Sequence, residues 1–343
     1  MLSRLLSRPM QLIIPYLFPP ARLLEAAAQD LRLPALETLL ARGTLAACIA
    51  QGVEAFLCGE LGIPQQQDFP VAPITLLADS GLAGNDYWLR ADPVHLRVMR
   101  DRIVLADSGS LNLTQPEADA LALSISEHFG AAFSPHPLHP ARWYLRLDQA
   151  PRLRTTPISI AVGCDIDPLL PQGEDAMLFR TRLNELQMLL FEHPVNQARE
   201  ARGELPVNSL WLWGGGCLPT SPNPAGPKTA TALYSNDAEV NPLGRFCGLE
   251  AAPMPVYFSA GLLEEHKLIV LDQLIGAGQY GDAFGWREAV SVLERDWFAP
   301  LLQHLRWHPA TGRVLDPING KSLSFNRLDV WKAWRGPRTL IEY

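Results

Sequence analysis

Residues 193–216 read HPVNQAREARGELPVNSLWLWGGG, from His193 to Gly216. Taken physically, this is a turn, a short helix, a second turn, a strand and a run of glycines. Asn196 is a fitting helix cap, and Gln197 to Arg202 supplies one or two helical turns. Gly203 is a natural stop, and the Leu205-Pro206 step re-enters extended backbone. Trp211 and Trp213 are two residues apart, so on a strand they share one face, with Leu210 and Leu212 on the other. A strand apolar on both faces is packed between layers, which predicts a layered α/β fold.

Gly214, Gly215 and Gly216 let backbone approach a ligand or another backbone closely. A helix after them would offer its N–H groups to a phosphate. The next residues are Cys217-Leu-Pro-Thr-Ser-Pro-Asn-Pro, which are not helical. Neither a Walker loop nor a dinucleotide-binding turn therefore matches. Two readings stand, a tight strand-to-loop bend and a ligand loop. The bend is favoured, because an isolated glycine cluster is a weak signal.

Upstream, Glu174 to Glu192 carries the strongest helical periodicity, with Met177, Leu178, Leu183, Leu186, Leu189 and Leu190 mostly three or four apart. Pro194 closes that helix, and His193 at its end suits the last carbonyls and the helix dipole. Thr114 and Glu117 form a capping box for a helix running to about Phe129 and stopped by Gly130. Strands are expected at Asp86–Arg90, Arg102–Ala106, Trp143–Leu147 and Ile158–Val162. The first two are joined by a turn through Asp92 and Pro93. Nearer the start, Gln11 to Ile14 reads as a buried strand and Ala21 to Arg42 as helical patches around Pro34. Gln51 to Leu61 reads as a helix, and Gly62 to Pro73 as a loop. Downstream, Leu268 to Leu271 is a second buried strand. Trp286 to Trp307 is helical apart from Pro300, and two tryptophans a helical turn apart, Trp331 and Trp334, lie near the end. The domain expectation is an α/β core from 1–85 and 206–343, a layered mixed sheet with flanking helices. A smaller α+β lobe would occupy 86–205.

The bulk numbers fit that picture. With 343 residues, 48% hydrophobic and 19% charged, the chain can bury a large core, and two lobes is the natural expectation. The net charge of −7, with no long Lys/Arg cluster, argues against direct nucleic-acid binding. Five cysteines, Cys48, Cys58, Cys164, Cys217 and Cys247, are an odd number at wide spacings with no Cys-x-x-Cys pair. Thiols so placed fit a reducing cytoplasm better than a disulfide framework or a zinc site. The apolar run after Arg4 and Arg8 is short and broken by Pro9 and Pro15. A buried strand is the better reading there than a signal peptide. No stretch approaches the roughly 20 apolar residues of a membrane span.

Some residue groupings invite chemistry. Asp92 and His95 stand at i, i+3, which on a helix suits an acid–base pair, although Pro93 favours a turn with Asp92 as its cap. His136 and His139 sit among Pro135, Pro137 and Pro140, a surface polyproline-like loop rather than a metal site. Arg199 and Arg202 are arranged to hold an anion, or to pair with Glu200 and Glu204 at the surface.

The combination His-Pro-Val-Asn at 193–196, Arg199, Gly203, Pro206, Asn208 and a Trp-Gly-x-Gly ending resembles the archaeal-type, cofactor-independent phosphoglycerate mutases, which are alkaline-phosphatase-like metalloenzymes. That likeness covers mainly Glu185 to Gly216, with a vaguer one around Leu268 to Leu271. The longer stretch 174–216 is more similar still to RpfE-type regulatory proteins. So are Ala91–Leu96, Arg142–Leu147 and the ending WKAWRGPRTL. The mutase resemblance implies two divalent cations and a phosphorylated hydroxyl, because paired cations stabilise the attacking and leaving oxygens. It also implies a metal aspartate just after the first strand, where this chain has Ile14-Pro15-Tyr16, and a late Asp-His-Ser pattern that is missing. The remaining carboxylates are Asp79, Asp86, Asp165, Asp167, Asp272 and Asp282.

The expectation is therefore a cytoplasmic, non-catalytic regulatory or small-anion-binding relative of the mutases, without metal or other cofactor. Its ligand would be a small phosphorylated or carboxylate metabolite, held by His193, Asn196, Arg199, Asn208, Trp213, Gly214, Gly215 and Gly216, with Asp92 and His95 as weaker candidates. A divergent metal-dependent phosphatase or phosphomutase is the alternative.

Overall fold

The computed structural model describes residues 10–106, 108–220, 230–263, 266–337 and 339–343. In chain order the strands are β1 (Met10–Ile13), β2 (Thr44–Ala47), β3 (Tyr87–Val98), β4 (Ile103–Ala106), β5 (Pro135–His139) and β6 (Arg142–Leu147). They continue as β7 (Ser209–Cys217), β8 (Ala232–Tyr234), β9 (Glu250–Ala252), β10 (Lys267–Val270), β11 (Thr311–Asp316) and β12 (Lys321–Asn326). The helices are α1 (Ala21–Ala27), α2 (Pro34–Arg42), α3 (Val53–Glu60), α4 (Val71–Ser80), α5 (Gln115–Phe129), α6 (Ile158–Ala161) and α7 (Ala176–Phe191). After them come α8 (Pro194–Ala201), α9 (Asn241–Phe246), α10 (Ile275–Tyr280), α11 (Ala283–Leu293), α12 (Ala299–Trp307) and α13 (Arg327–Val330).

The described residues of 1–61 and 224–343 make one compact unit, and those of 62–223 make a second. The first unit holds a seven-stranded sheet in the order β2-β12-β11-β1-β10-β8-β9. From β11 to β9 all neighbours are parallel, and β12 and β2 add an antiparallel edge. Met10, Leu12, Ile269, Leu271, Val314 and Leu323 point to one face and pack on the Trp286, Trp297 and Phe298 side of α11–α12. Each such aliphatic side chain contributes about 1.5–3 kcal/mol by leaving water. α11 and α12 are joined by a π turn, Glu294–Phe298, rather than broken at Pro300. The π turn aims Glu294 at the start of α2. There its carboxylate accepts from Ala35 N (2.6 Å) and Leu36 N (3.0 Å), supplying the cap that Leu33 does not.

The second unit carries a sheet ordered β4-β3-β6-β5, with β7 also pairing β3. β3 runs straight through the expected turn at Asp92 and Pro93. Pro93 is tolerated because β6 pairs β3 only over Tyr87–Arg90 and β4 only from His95 onward. The proline therefore lies where β3 has a ladder on one side alone. β5 is the expected proline-rich loop, drawn into the sheet as an edge strand, where missing N–H groups cost least. Ile158–Ala161 forms a helical turn instead of a strand. Val71–Ser80, whose first residues were expected in a loop, is a helix packed on β7 and β3. Because β7 pairs with β3 over Tyr87–Val94, it lies in the 62–223 unit. Residues 62–85 and the described residues 206–220 fall in this same compact unit.

Candidate functional site

Two polar networks occupy the interior of the 62–223 unit, and they absorb most of the candidate residues. The first is centred on Asp92, 1% exposed on β3. Arg90, two residues away on the same face, donates through Nε (3.1 Å) and Nη2 (2.8 and 3.0 Å) to its carboxylate. Trp213 Nε1 donates to Oδ2 at 2.7 Å, and Trp143 N to Oδ1 at 3.2 Å. The Arg90 guanidinium lies over the rings of Tyr144 (5.3 Å) and Trp213 (5.1 Å). Tyr144 Oη donates to Asp79 (2.6 Å), which also takes a two-point contact from Arg142. Burial pushes the Asp79 carboxyl up, but the hydrogen bonds from Arg142 and Tyr144 outweigh it and hold it below the ordinary carboxylate range. Asp92 is thus neither a turn cap nor an acid–base partner of His95. His95 lies further along β3 and donates from Nδ1 to Pro206 O at 2.8 Å.

The second network is built by 193–208. His193 is the N-cap of α8 rather than a C-terminal ligand of α7. Its Nδ1 accepts from Val195 N at 3.2 Å. Nδ1 being an acceptor, Nε2 carries the proton and donates to Ser124 Oγ at 2.9 Å. That tautomer cannot take a proton from Ser124, so the pair is no activated nucleophile. Asn196 lies inside α8, not at its cap. It donates to Leu190 O (2.8 Å) and Val207 O (2.7 Å) and accepts from Val207 N (2.9 Å). Arg199 is 0% exposed. It donates to the carbonyls of Leu205 and Leu111 and pairs with Glu117, so its fork is spent on the protein. Arg202 is the exposed partner of Glu117 and Glu204. The Asn208 carboxamide accepts from Leu96 N (2.6 Å) and donates to Leu96 O (2.9 Å), acting as one more rung of the β3–β7 ladder.

The glycine triplet is part of β7, so it is not the strand-to-loop bend expected. Between Trp88/Gly216 and Arg90/Trp213 the register gains one residue on β7, a bulge at which Gly214 takes φ +65°. A Cβ on Gly215 would lie 2.4 Å from Tyr87 Oη, and one on Gly216 2.6 Å from Pro70. The glycines let the sheet and the 66–72 segment close on each other. Gln66, in the Gln-Pro loop, pairs with both backbone groups of Cys217, donating to O at 2.7 Å and accepting from N at 3.0 Å.

The other carboxylates are dispersed. Asp86 pairs with Arg146 at 3.1 Å, Asp165 accepts from Asp167 N at 3.4 Å, and Asp282 caps α11 through Gly285 N at 2.9 Å. His136 and His139 lie on edge strand β5, and His139 Nδ1 accepts from Ala141 N at 3.2 Å.

In the first unit, the carboxyl ends of the parallel strands are where α/β sheets usually hold ligands. β1 runs out into Ile14 and Pro15, with no carboxylate. Asp316, ending β11, is absent from the candidates drawn from the sequence; its local signal is the Asp316-Pro317…Asn319-Gly320 turn. It is fully buried and accepts from Tyr16 N (3.2 Å), Phe18 N (3.0 Å), Ile318 N (3.1 Å), Asn319 N (3.1 Å) and Asn319 Nδ2 (3.2 Å). Burial pushes its carboxyl up against the pull of these donors. Asp272 follows β10, half-buried, its carboxyl also raised by burial.

No protein-family model matches the chain. The 2,3-bisphosphoglycerate-independent phosphoglycerate mutase of Methanothrix thermoacetophila is 40% identical over 67 residues, 20% of this chain and 17% of the relative. Mutase 2 of Methanothermobacter thermautotrophicus is 29% identical over 178 residues, 46% of this chain and 43% of the relative. The chain is a distant relative of the cofactor-independent phosphoglycerate mutases. It matches less than half the length of these curated mutases. The solved cofactor-independent mutase of Thermoplasma acidophilum aligns over 93% of this chain and 89% of its own, at 17% identity and a TM-score of 0.45. For the cations that mutase kinship implies, among the described residues no three His, Cys, Asp or Glu side chains stand close enough to share an ion. At the strand ends Asp316 is saturated by protein donors, and Asp272 is half-buried. Among the described residues, no helix is long and apolar enough to cross a membrane.

Proposed function

We propose that this chain is a non-catalytic, small-ligand-binding or regulatory relative of the cofactor-independent phosphoglycerate mutases. The observation that carries the reading is Asp316. Phosphoryl transfer between two cations requires carboxylates whose lone pairs are turned to the ions. A carboxylate offers about four lone-pair sites. Those of Asp316 face four backbone N–H groups and the Asn319 amide, so this carboxylate ties the chain after β1 to the turn after β11. The RpfE-type resemblance of 174–216 supports a regulatory role. A small phosphorylated or carboxylate metabolite is the first ligand to try.

The test pairs turnover with binding. Purified protein, with Mn²⁺ or Mg²⁺ added, is expected to leave phosphoglycerate isomers unconverted when followed by phosphorus NMR, and to retain no stoichiometric metal after dialysis. Conversion that depends on the added ion would overturn the proposal. Melting curves with phosphoglycerate and with inorganic phosphate are expected to rise saturably; a flat response to both removes the anion. A divergent metal-dependent phosphatase or phosphomutase is the second reading, favoured by Asp272 alone, a half-buried carboxylate just past β10.

A further inference from the structure

The 62–223 unit has a second polar surface, whose groups are more open to solvent than those of its interior. The β3–β4 hairpin, the turn Asp167–Leu169, the start of β7 and one face of α7 enclose a groove of about 240 Å³. Leu96, Ile103, Ile166, Leu183, Leu210 and Trp211 give it apolar walls. Arg180, Asn184 and Gln187 line it from α7 at i, i+4 and i+7, a single helical stripe.

Arg180 donates to Pro171 O through Nε (3.1 Å) and Nη2 (2.9 Å), leaving Nη1. The side chains of Asn184, Gln187 and Asp167 are exposed to solvent along the groove. Ser209 is only 2% exposed and lines the groove at the start of β7. The groove thus combines hydrophobic walls, one cation, one anion, two amides and a buried hydroxyl.

We propose that this groove binds an apolar α-amino acid. Its volume suits about a dozen non-hydrogen atoms at protein packing density, the size of leucine or phenylalanine. The side chain would lie against Leu183, Leu210 and Trp211. The carboxylate would take charge-assisted hydrogen bonds from Arg180 Nη1 and Ser209 Oγ, and the ammonium would face Asp167. Amides, which both donate and accept, suit the remaining polar positions of a zwitterion. A purely apolar ligand would leave Arg180 and Asp167 unused, and a phosphate would leave the walls unused.

Calorimetry on the full chain tests this with L-phenylalanine and L-leucine. Two analogues go beside them: 3-phenylpropanoate, which lacks the ammonium, and L-phenylalaninamide, which lacks the carboxylate. At least one amino acid is expected to bind saturably with a Kd of about 1 mM or tighter. Both analogues are expected to bind about tenfold or more weakly. Asn184→Trp, an exposed position, is expected to fill the groove and abolish binding with an unchanged melting temperature. Asp167→Asn is expected to shrink the difference between L-phenylalanine and 3-phenylpropanoate. Absence of saturable binding by both amino acids would overturn the proposal. So would full binding by Asn184→Trp, or a 3-phenylpropanoate affinity equal to that of L-phenylalanine.

Discussion

The interior of the 62–223 unit and the groove along its α7 use the same kinds of side chain to opposite ends. Inside, Arg199, Asn196 and Asp92 each meet several partners, and little of their hydrogen-bonding capacity faces outward. Along the groove, Asp167, Asn184 and Gln187 face solvent, and Arg180 keeps Nη1 in reserve. Rare, tightly patterned polar residues draw the eye in a sequence, yet here they hold strands and helices together. The surface open to a ligand is made from residues that look ordinary. The difference teaches that a polar residue's partners, not its conspicuousness, separate a scaffold from a site.

That contrast can be broken by mutation. Asp92→Ala carries the largest expected effect, because it leaves the buried Arg90 guanidinium without its carboxylate. A loss of about 3–5 kcal/mol in urea denaturation is expected, and a loss below about 1 kcal/mol would show that Asp92 is dispensable to the fold. Arg199→Ala comes next. It strips the carbonyls of Leu205 and Leu111 of a donor, with an expected cost of about 2–3 kcal/mol by the same measurement. Gly215→Ala forces a methyl against Tyr87 and Leu89, for which about 1–3 kcal/mol is expected. Melting-temperature loss in Gly215→Ala, partly relieved by adding Tyr87→Phe, would localise the clash.

Histidine 193 sharpens the comparison through pH. Burial pushes its pKa below the ordinary histidine value of 6.5, and the neutral ring leaves Nδ1 free to accept from Val195 N. The unfolded chain then binds the proton more readily than the folded one. Its contribution to stability is therefore fully present above about pH 6.5 and is lost as pH falls through the lower, folded-state value. His193→Gln is expected to flatten that part of the pH–stability curve between pH 7 and 5; an unchanged slope would assign it to other groups. The smallest effect belongs to the groove. Asn184→Ala and Gln187→Ala are expected to shift stability by no more than about 0.5 kcal/mol, since both side chains are exposed.

Much of the fold is legible in the amino-acid sequence. The Thr114–Glu117 capping box, the long helix before Pro194 and the buried strands around Leu12 and Leu268 carry their signals within a few residues. The β11–β12 hairpin is harder to read: Asn319-Gly320 marks its turn, but the flanking strands alternate only weakly. Of the candidate site, His193, Asn196, Arg199 and Asn208 make structural contacts with distant backbone and side-chain groups. Sequence spacing does not reveal that Asn196 reaches Val207, or that Asn208 completes a ladder on Leu96, because those partners are set by how β3 and β7 align.

By itself, then, the sequence determined the local elements, the alternation of strands and helices, and the kinship with the mutases, since each rests on near neighbours or on residue identity. Only the tertiary structure decided that β7 belongs with β3, that Asp92 and Arg199 are interior anchors, and that Asp316 is saturated. A hydrogen bond's worth depends on what stands opposite it in space. That is fixed by contacts between residues tens to hundreds of positions apart, which no local pattern encodes.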